Sequence, residues 1–270
     1  MVPDELGSVG EHSLHLPLSS FVNQMEAVAR THRVVPLSEA LDWDRPRAGR
    51  PSLAITFDDA YSGAIELAGG VLARMGLPAT MFVAPGVLGG HAFWWDRYSP
   101  DDPGWLPDAF REAVLSQGVA GTDRVEALAH HHGVEAKVIP DYARSASVDA
   151  VRSYAQIPGF TLAPHSWSHP NLTALTAEAQ RDEFERSLRW VNENGPSSGP
   201  WISYPFGLAT AETEDIARQA GLTAGFGLGG DWIPKRPAND FHVSRVNVHA
   251  QLDQTTFRLR VDGLPRGTGA

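Results

Sequence analysis

Apolar positions along this chain fall into two alternating rhythms. Residues 53–57 (LAITF) read as a continuous apolar run, the pattern of a parallel strand covered on both faces. A helix is expected next, because Ile65, Ala68, Leu72 and Met75 share one face and Gly76 stands where a helix would stop. Residues 79–84 (ATMFVA) form a second buried strand, so the three elements make a strand–helix–strand unit with a right-handed crossover. The rhythm returns downstream. Thr176 is placed to cap a helix carrying Phe184, Leu188 and Val191, which Gly195-Pro196 ends. Residues 201–204 predict a strand, 210–221 a helix, and 222–226 and 243–248 two further strands. Upstream, 20–32 and 38–43 predict short helices around a strand at Val34-Val35. Repeated units of this kind point to an α/β fold, a barrel or an open parallel sheet.

Between about residues 87 and 150 the rhythm breaks. Phe93-Trp94-Trp95-Asp96, a turn-rich stretch at 99–104 and helical patterns near 107–117 and 122–132 predict a helical insertion packed over one mouth of the fold. Such a segment is either a structural appendix or a lid that shapes substrate access. The whole chain reads as a single domain, with a disordered tail from Gly263.

Composition narrows the functions available. The chain has 270 residues, 42% hydrophobic and 20% charged, with a formal net charge of −10. That charge argues against a nucleic-acid partner, since no basic stripe is available to neutralise phosphates. It leaves a neutral glycan open. There is no cysteine, which excludes thiolate nucleophiles and thiolate metal sites, so any metal must rest on His, Asp or Glu. The start of the chain shows neither a basic segment nor an apolar one, and no long apolar run could span a bilayer. A cytoplasmic location is the expectation.

Two constellations carry chemistry. Asp58-Asp59 follows the LAITF strand, at the end where α/β folds place their active sites. Adjacent carboxylates there repel one another unless a cation shares the field; alternatively, one caps the next helix while the other is solvated. His165-Ser-Trp-Ser-His169 lies between Pro164 and Pro170, hence in a loop or a single turn. A four-residue spacing on one turn brings both imidazoles to one face. Taken together, two imidazoles and one carboxylate form a set that leaves coordination positions open, and the second Asp stays free as a proton acceptor. A bound divalent ion lowers the pKa of its water from about 15.7 toward about 7.

These residues stand in a recognisable order. Thr56-Phe57-Asp58-Asp59-Ala60-Tyr61 resembles the TFDDG(Y/W) motif of polysaccharide deacetylases, a family that includes chitin, peptidoglycan and nodulation-factor deacetylases. Residues 164–170 (PHSWSHP) are similar to its H(S/T)xxHP motif, and Ser203-Tyr204-Pro205-Phe206-Gly207 to the YPFG form of its RxPYG motif. The resemblance runs from about residue 14 to about 250. It implies a distorted (β/α) barrel of about seven strands and one divalent metal, zinc by default with cobalt, nickel or iron as alternatives. By the family's roles Asp58 is the general base, and Asp59, His165 and His169 are the metal ligands. The Phe206 N–H helps form the oxyanion hole. Trp95, Tyr204 and Trp232 are candidates for binding substrate, an N-acetylated sugar, a glycoconjugate or a small acylated metabolite. Trp94 and Trp167 are further aromatic candidates for stacking on sugar.

The chain departs from the family pattern in three places. Ala60 replaces the glycine after the aspartate pair, and Ser203 stands where the family has the arginine that pairs with the base. Alternation over 243–248 turns Val246 and Val248 one way and Arg245 and Asn247 the other. Arg245 therefore either points inward and pairs with Asp58 or extends to solvent. For the general acid the candidate is His249, in Asn-Val-His-Ala rather than the family's leucine–x–His–Asp. His12 and His15 precede a helix start, and His130-His131-His132 reads as a solvated helix end. Two other readings stay open on the same fold: a cyclic amide or imide hydrolase, and a glycan-binding relative without turnover.

Overall fold

The computed structural model describes residues 1–4, 10–11, 13–45, 49–99, 106–118, 122–229 and 236–263. Trp232, His12, most of the turn-rich stretch at 99–104 and the tail beyond residue 263 lie outside the described residues. The elements run α1 (Leu18–Thr31), β1 (Arg33–Val34), α2 (Leu37–Ala40), β2 (Ser52–Leu53), β3 (Thr56–Phe57), α3 (Gly69–Met75), β4 (Ala79–Val83), α4 (Trp94–Arg97), α5 (Asp108–Ser116), α6 (Thr122–His131), α7 (Val148–Ala155), β5 (Phe160–Pro164), α8 (Ala177–Asn194), β6 (Trp201–Ser203), α9 (Ala211–Gln219), β7 (Ala224–Phe226) and α10 (Gln254–Val261).

Among the described residues the strands pair in parallel, as strand–helix–strand crossovers require. β4 is buried along its whole length and lies between β3 and β5, with Thr80 opposite Thr56 on one side and Thr161 on the other. β1 pairs with β2, and β6 with β7. Single bridges continue this order, Leu162 to Ser198 beyond β5 and Phe226 to Val243 beyond β7. The architecture is thus α/β with parallel sheets. Two expected strands come out differently. The 53–57 run is split into β2 and β3, and the 243–248 run pairs only at Val243.

Helix ends follow the local chemistry of the sequence. Gly76 ends α3 with φ 65°, a left-handed turn that costs glycine nothing. The hydroxyls of Thr176 and Thr210 accept the N–H groups of Ala179 and Thr213, capping α8 and α9. Within the expected insertion, Phe110 and Val114 of α5 and Val125 and Ala129 of α6 join the main core. That core also holds Leu72, Met81, Leu162 and Phe257, so α5 and α6 pack into it. No helix among the described residues is long and apolar enough to cross a membrane.

Candidate active site

The ends of β3, β5 and β6 point the site residues toward one another. Asp58 and Asp59 follow β3, His165 follows β5, and Ser203 closes β6. Among the described residues, the non-glycine positions with positive φ are Asp59 (69°), Ala60 (53°), Ser166 (59°), His169 (57°) and Phe206 (58°). All five fall in the three motifs. Each left-handed residue costs about 1–3 kcal/mol that surrounding structure must over-determine, and such strain gathers where side chains are aimed for function.

Asp59, His165 and His169 converge on one point. Asp59 Oδ1 lies 3.0 Å from His169 Nε2 and 3.4 Å from His165 Nε2, and the two imidazole nitrogens are 3.2 Å apart. His165 Nδ1 is 2.6 Å from the Ser203 carbonyl oxygen. A carbonyl only accepts, so Nδ1 carries a proton, and in the neutral ring Nε2 then turns a lone pair toward Asp59. Asp59 Oδ1 is buried without an ordinary hydrogen-bond donor. Acceptors facing acceptors in a buried site are unfavourable unless a cation sits among them. Two atoms bonded to one ion at about 2.0–2.2 Å stand roughly 3 Å apart, so the donor set fits a divalent metal.

The electrostatics divide the aspartates. Burial pushes the Asp59 carboxyl up, but His169 and His165 outweigh it and hold the group well below its ordinary value. Burial pushes Asp58 up as well, and here the Arg245 guanidinium overrides it, so Asp58 is also held down. For His165, burial pulls downward while the charges of Asp58 and Asp59 pull upward, with a net rise. Arg245 donates from Nη1 to Asp58 Oδ1 at 2.8 Å and from Nη2 to Asp58 Oδ2 at 2.7 Å. Nη2 also reaches Ser203 Oγ at 2.8 Å, and that hydroxyl donates to Asp58 Oδ2 at 2.9 Å. The inward orientation of Arg245 is therefore the one adopted, and Ser203 shares its grip on Asp58.

Other candidates take different positions. In the Tyr204-Pro205-Phe206-Gly207 turn, hydrogen bonds run from Gly207 N–H to Tyr204 and from Leu208 N–H to Pro205, leaving out the Phe206 N–H. The Phe206 ring stands 4.8 Å from that of His169. Tyr204, expected as a substrate contact, is only 1% exposed and packs with Ile202, Phe184 and Ile216. It also stands among the residues that line the cavity holding Asp58 and Asp59. Trp95 is 8% exposed, its N–H committed to Tyr61. Trp167 is half-buried beneath the Arg186 guanidinium at 4.2 Å. A cavity of about 710 Å³ holds Asp58, Asp59, His165 and His169 together with Trp94 and Arg111. Its lining includes Val246, Asn247 and Val248 but not His249. His130 and His131 are exposed at the end of α6.

Sequence reasoning missed Glu183. Its carboxylate accepts the N–H groups of Trp167 and Ser168, both at 2.8 Å, and the Ser168 hydroxyl at 2.6 Å, pinning the His165–His169 turn to α8. The available signal was an acidic residue on the stripe Gln180, Phe184, Ser187 and Val191 that α8 buries.

The family model described as Polysaccharide deacetylase matches residues 45–225. A comparison with curated protein sequences gives no match. Among solved structures, the chain resembles the Streptococcus pyogenes deacetylase PplD in complex with acetate at 15% identity and TM-score 0.65, covering 98% of this chain and 93% of that one. It resembles IcaB from Ammonifex degensii at 17% identity and TM-score 0.61, covering 92% and 88%. A de-N-acetylase from Aggregatibacter actinomycetemcomitans is similar at 13% identity and TM-score 0.59, covering 95% and 93%. At these identities the likeness is one of fold.

Proposed function

Because the chain belongs to the polysaccharide deacetylase family, we propose that it is a metal-dependent hydrolase, built on a distorted (β/α) barrel, that removes the N-acetyl group from an N-acetylated sugar or glycoconjugate. One observation carries the reading. Asp59, His165 and His169 converge as a ligand set, while the adjacent Asp58 stays outside it in the grip of Arg245. Held by Asp59 Oδ1, His165 Nε2 and His169 Nε2, a divalent cation would supply the Lewis acidity that polarises the acetamide carbonyl and water. Zinc is the default for this donor set, and cobalt, nickel and iron suit the same ligands.

The remaining work belongs to the chain's own residues. Arg245 and Ser203 keep Asp58 ionised and oriented, so its carboxylate takes the proton of the attacking water. As the water oxygen bonds to the acetyl carbon, negative charge gathers on the carbonyl oxygen, and the Phe206 N–H donates to it. Breaking the carbon–nitrogen bond leaves an amine that needs a proton. Asp58 holds one at that stage and returns it. Trp94, half-buried on the cavity wall, offers an aromatic face to the sugar.

Acetate release from N-acetylglucosamine oligomers, measured beside metal content, tests this assignment. Asp58→Asn is expected to keep the metal and lose turnover, and His165→Ala to lose both. Equal metal loss in the two variants refutes the division of roles.

A further inference from the structure

The two histidines of the ligand set are oriented by different means. His165 donates from Nδ1 to a fixed carbonyl, whereas His169 Nδ1 is buried with no hydrogen-bond partner. A ligand histidine ordinarily donates its second N–H to an acceptor that sets the ring's angle. Around His169 that task falls to aromatic rings, with Phe206 at 4.8 Å, Trp95 at 4.9 Å and Phe93 at 6.5 Å between centroids. Trp95 in turn stacks on Phe93 at 4.8 Å and 13°. Ring contacts are weakly directional, so the angle of His169 depends on what fixes Trp95.

Trp95 is fixed by a chain of short hydrogen bonds. Its Nε1–H donates to the Tyr61 hydroxyl at 2.6 Å, and that hydroxyl donates to Asp96 Oδ2 at 2.6 Å. The Asp96 carboxylate only accepts, so the Tyr61 hydroxyl is the donor of that bond. The other oxygen of Asp96 accepts from His15 Nε2 at 2.7 Å and from the Glu11 N–H at 2.8 Å. Asp96 is 0% exposed and His15 2%. A carboxylate buried this deeply is expensive unless its oxygens are satisfied, and each of these has at least one donor. The anchor joins the segment before α1, the turn after Asp59 and the insertion.

We propose that Asp96, Tyr61 and Trp95 are positioning residues for His169: the relay Asp96–Tyr61–Trp95 fixes the imidazole that Nδ1 leaves untethered, and metal affinity depends on it. None of the three contacts reacting atoms in this account, which rests on the proposed metal-binding role of His169.

The test uses the full chain loaded with zinc or cobalt(II). Tyr61→Phe keeps the ring and removes the link. Zinc competition against a chromogenic chelator is expected to show affinity weakened about 10–100-fold. The visible bands of the cobalt(II)-substituted protein are expected to change. A merely structural role would lower the melting temperature of the metal-free protein and leave affinity and bands as in the wild type; that result overturns the inference. Trp95→Phe, which retains a ring but has no N–H, gives the same readout if Tyr61→Phe does not fold. Wild-type protein that takes up neither ion overturns the metal reading itself, whereas wild-type uptake with unaltered affinity in both variants overturns the relay alone.

Discussion

Asp58 and Arg245 stand 187 positions apart in the chain and meet in a two-pronged ion pair, each guanidinium nitrogen taking one carboxylate oxygen. Both groups are largely withdrawn from water, with Phe82 and Phe226 near the guanidinium at 5.5 and 5.9 Å. In such surroundings the pair decides the protonation of the carboxylate proposed as base. Burial alone raises the carboxyl, and Arg245 reverses that.

The consequence is a pH prediction with a definite sign. Asp58 works as a base only when ionised, so the acid limb of kcat/KM should lie below the ordinary carboxylate range in the wild type. Arg245→Met removes the largest opposition to burial and so raises the carboxyl, and the limb should move to higher pH. Loss of orientation should also reduce the plateau, by up to about 10²–10⁴-fold, the typical contribution of a positioned general base. A pH profile of acetate release checks both effects. An unmoved acid limb would separate Asp58 from the base role.

How far the sequence exposed this pair shows where its legibility ended. Asp59, His165 and His169 were readable because two short motifs carry them. Arg245 was half-readable: alternation put it opposite Val246 and Val248, but nothing local said which side faced inward. The strand β5 escaped, although Phe160, Leu162 and Ala163 are buried, because Thr161 and a terminal proline interrupt its apolar pattern. The helix α10 escaped too, since its apolar residues trace only a weak stripe around Phe257 and Val261. Glu183 and Asp96 were invisible for a different reason. A buried carboxylate is specified by donors from distant segments, and those meet it only once the chain has folded.

Glu183 supports a stability prediction. Removing its side chain in Glu183→Ala strips acceptors from two backbone N–H groups and one hydroxyl in a partly buried turn. Each orphaned donor that water cannot reach costs about 1–3 kcal/mol. Chemical denaturation should show a loss within that range, and metal affinity should fall with it because the turn carries His165 and His169. Unchanged stability and affinity together would show that the turn holds its shape without α8.

Ala60 allows a test of the backbone strain. Its φ of 53° is left-handed and its methyl is fully buried. Ala60→Gly removes about 1–2 kcal/mol of backbone penalty and loses about 0.8 kcal/mol of buried methyl, so thermal melts should show little change or a small gain. Ala60→Val adds a branched side chain where φ is positive and space is lacking, and should melt several degrees lower. A valine variant as stable as the wild type would mean that the turn relaxes out of the left-handed region.

Metal removal is the last test, and it separates the ligand set from an ordinary ion pair. Without an ion, the contacts of Asp59 with His169 and His165 are those of a carboxylate beside imidazoles that must carry protons to attract it. With one, the same atoms gain a binding free energy available only to the folded chain, about 2.7 kcal/mol when free metal stands at a hundredfold Kd. Chelator should therefore lower the wild-type Tm by several degrees, and added zinc should restore it. The His165→Ala and Asp59→Ala proteins should melt at one temperature with or without chelator. Asp58→Asn should behave as the wild type does, because Asp58 lies outside the ligand set. A wild-type Tm that chelator leaves in place would mean the three side chains hold no metal, and the hydrolytic reading would lose its Lewis acid.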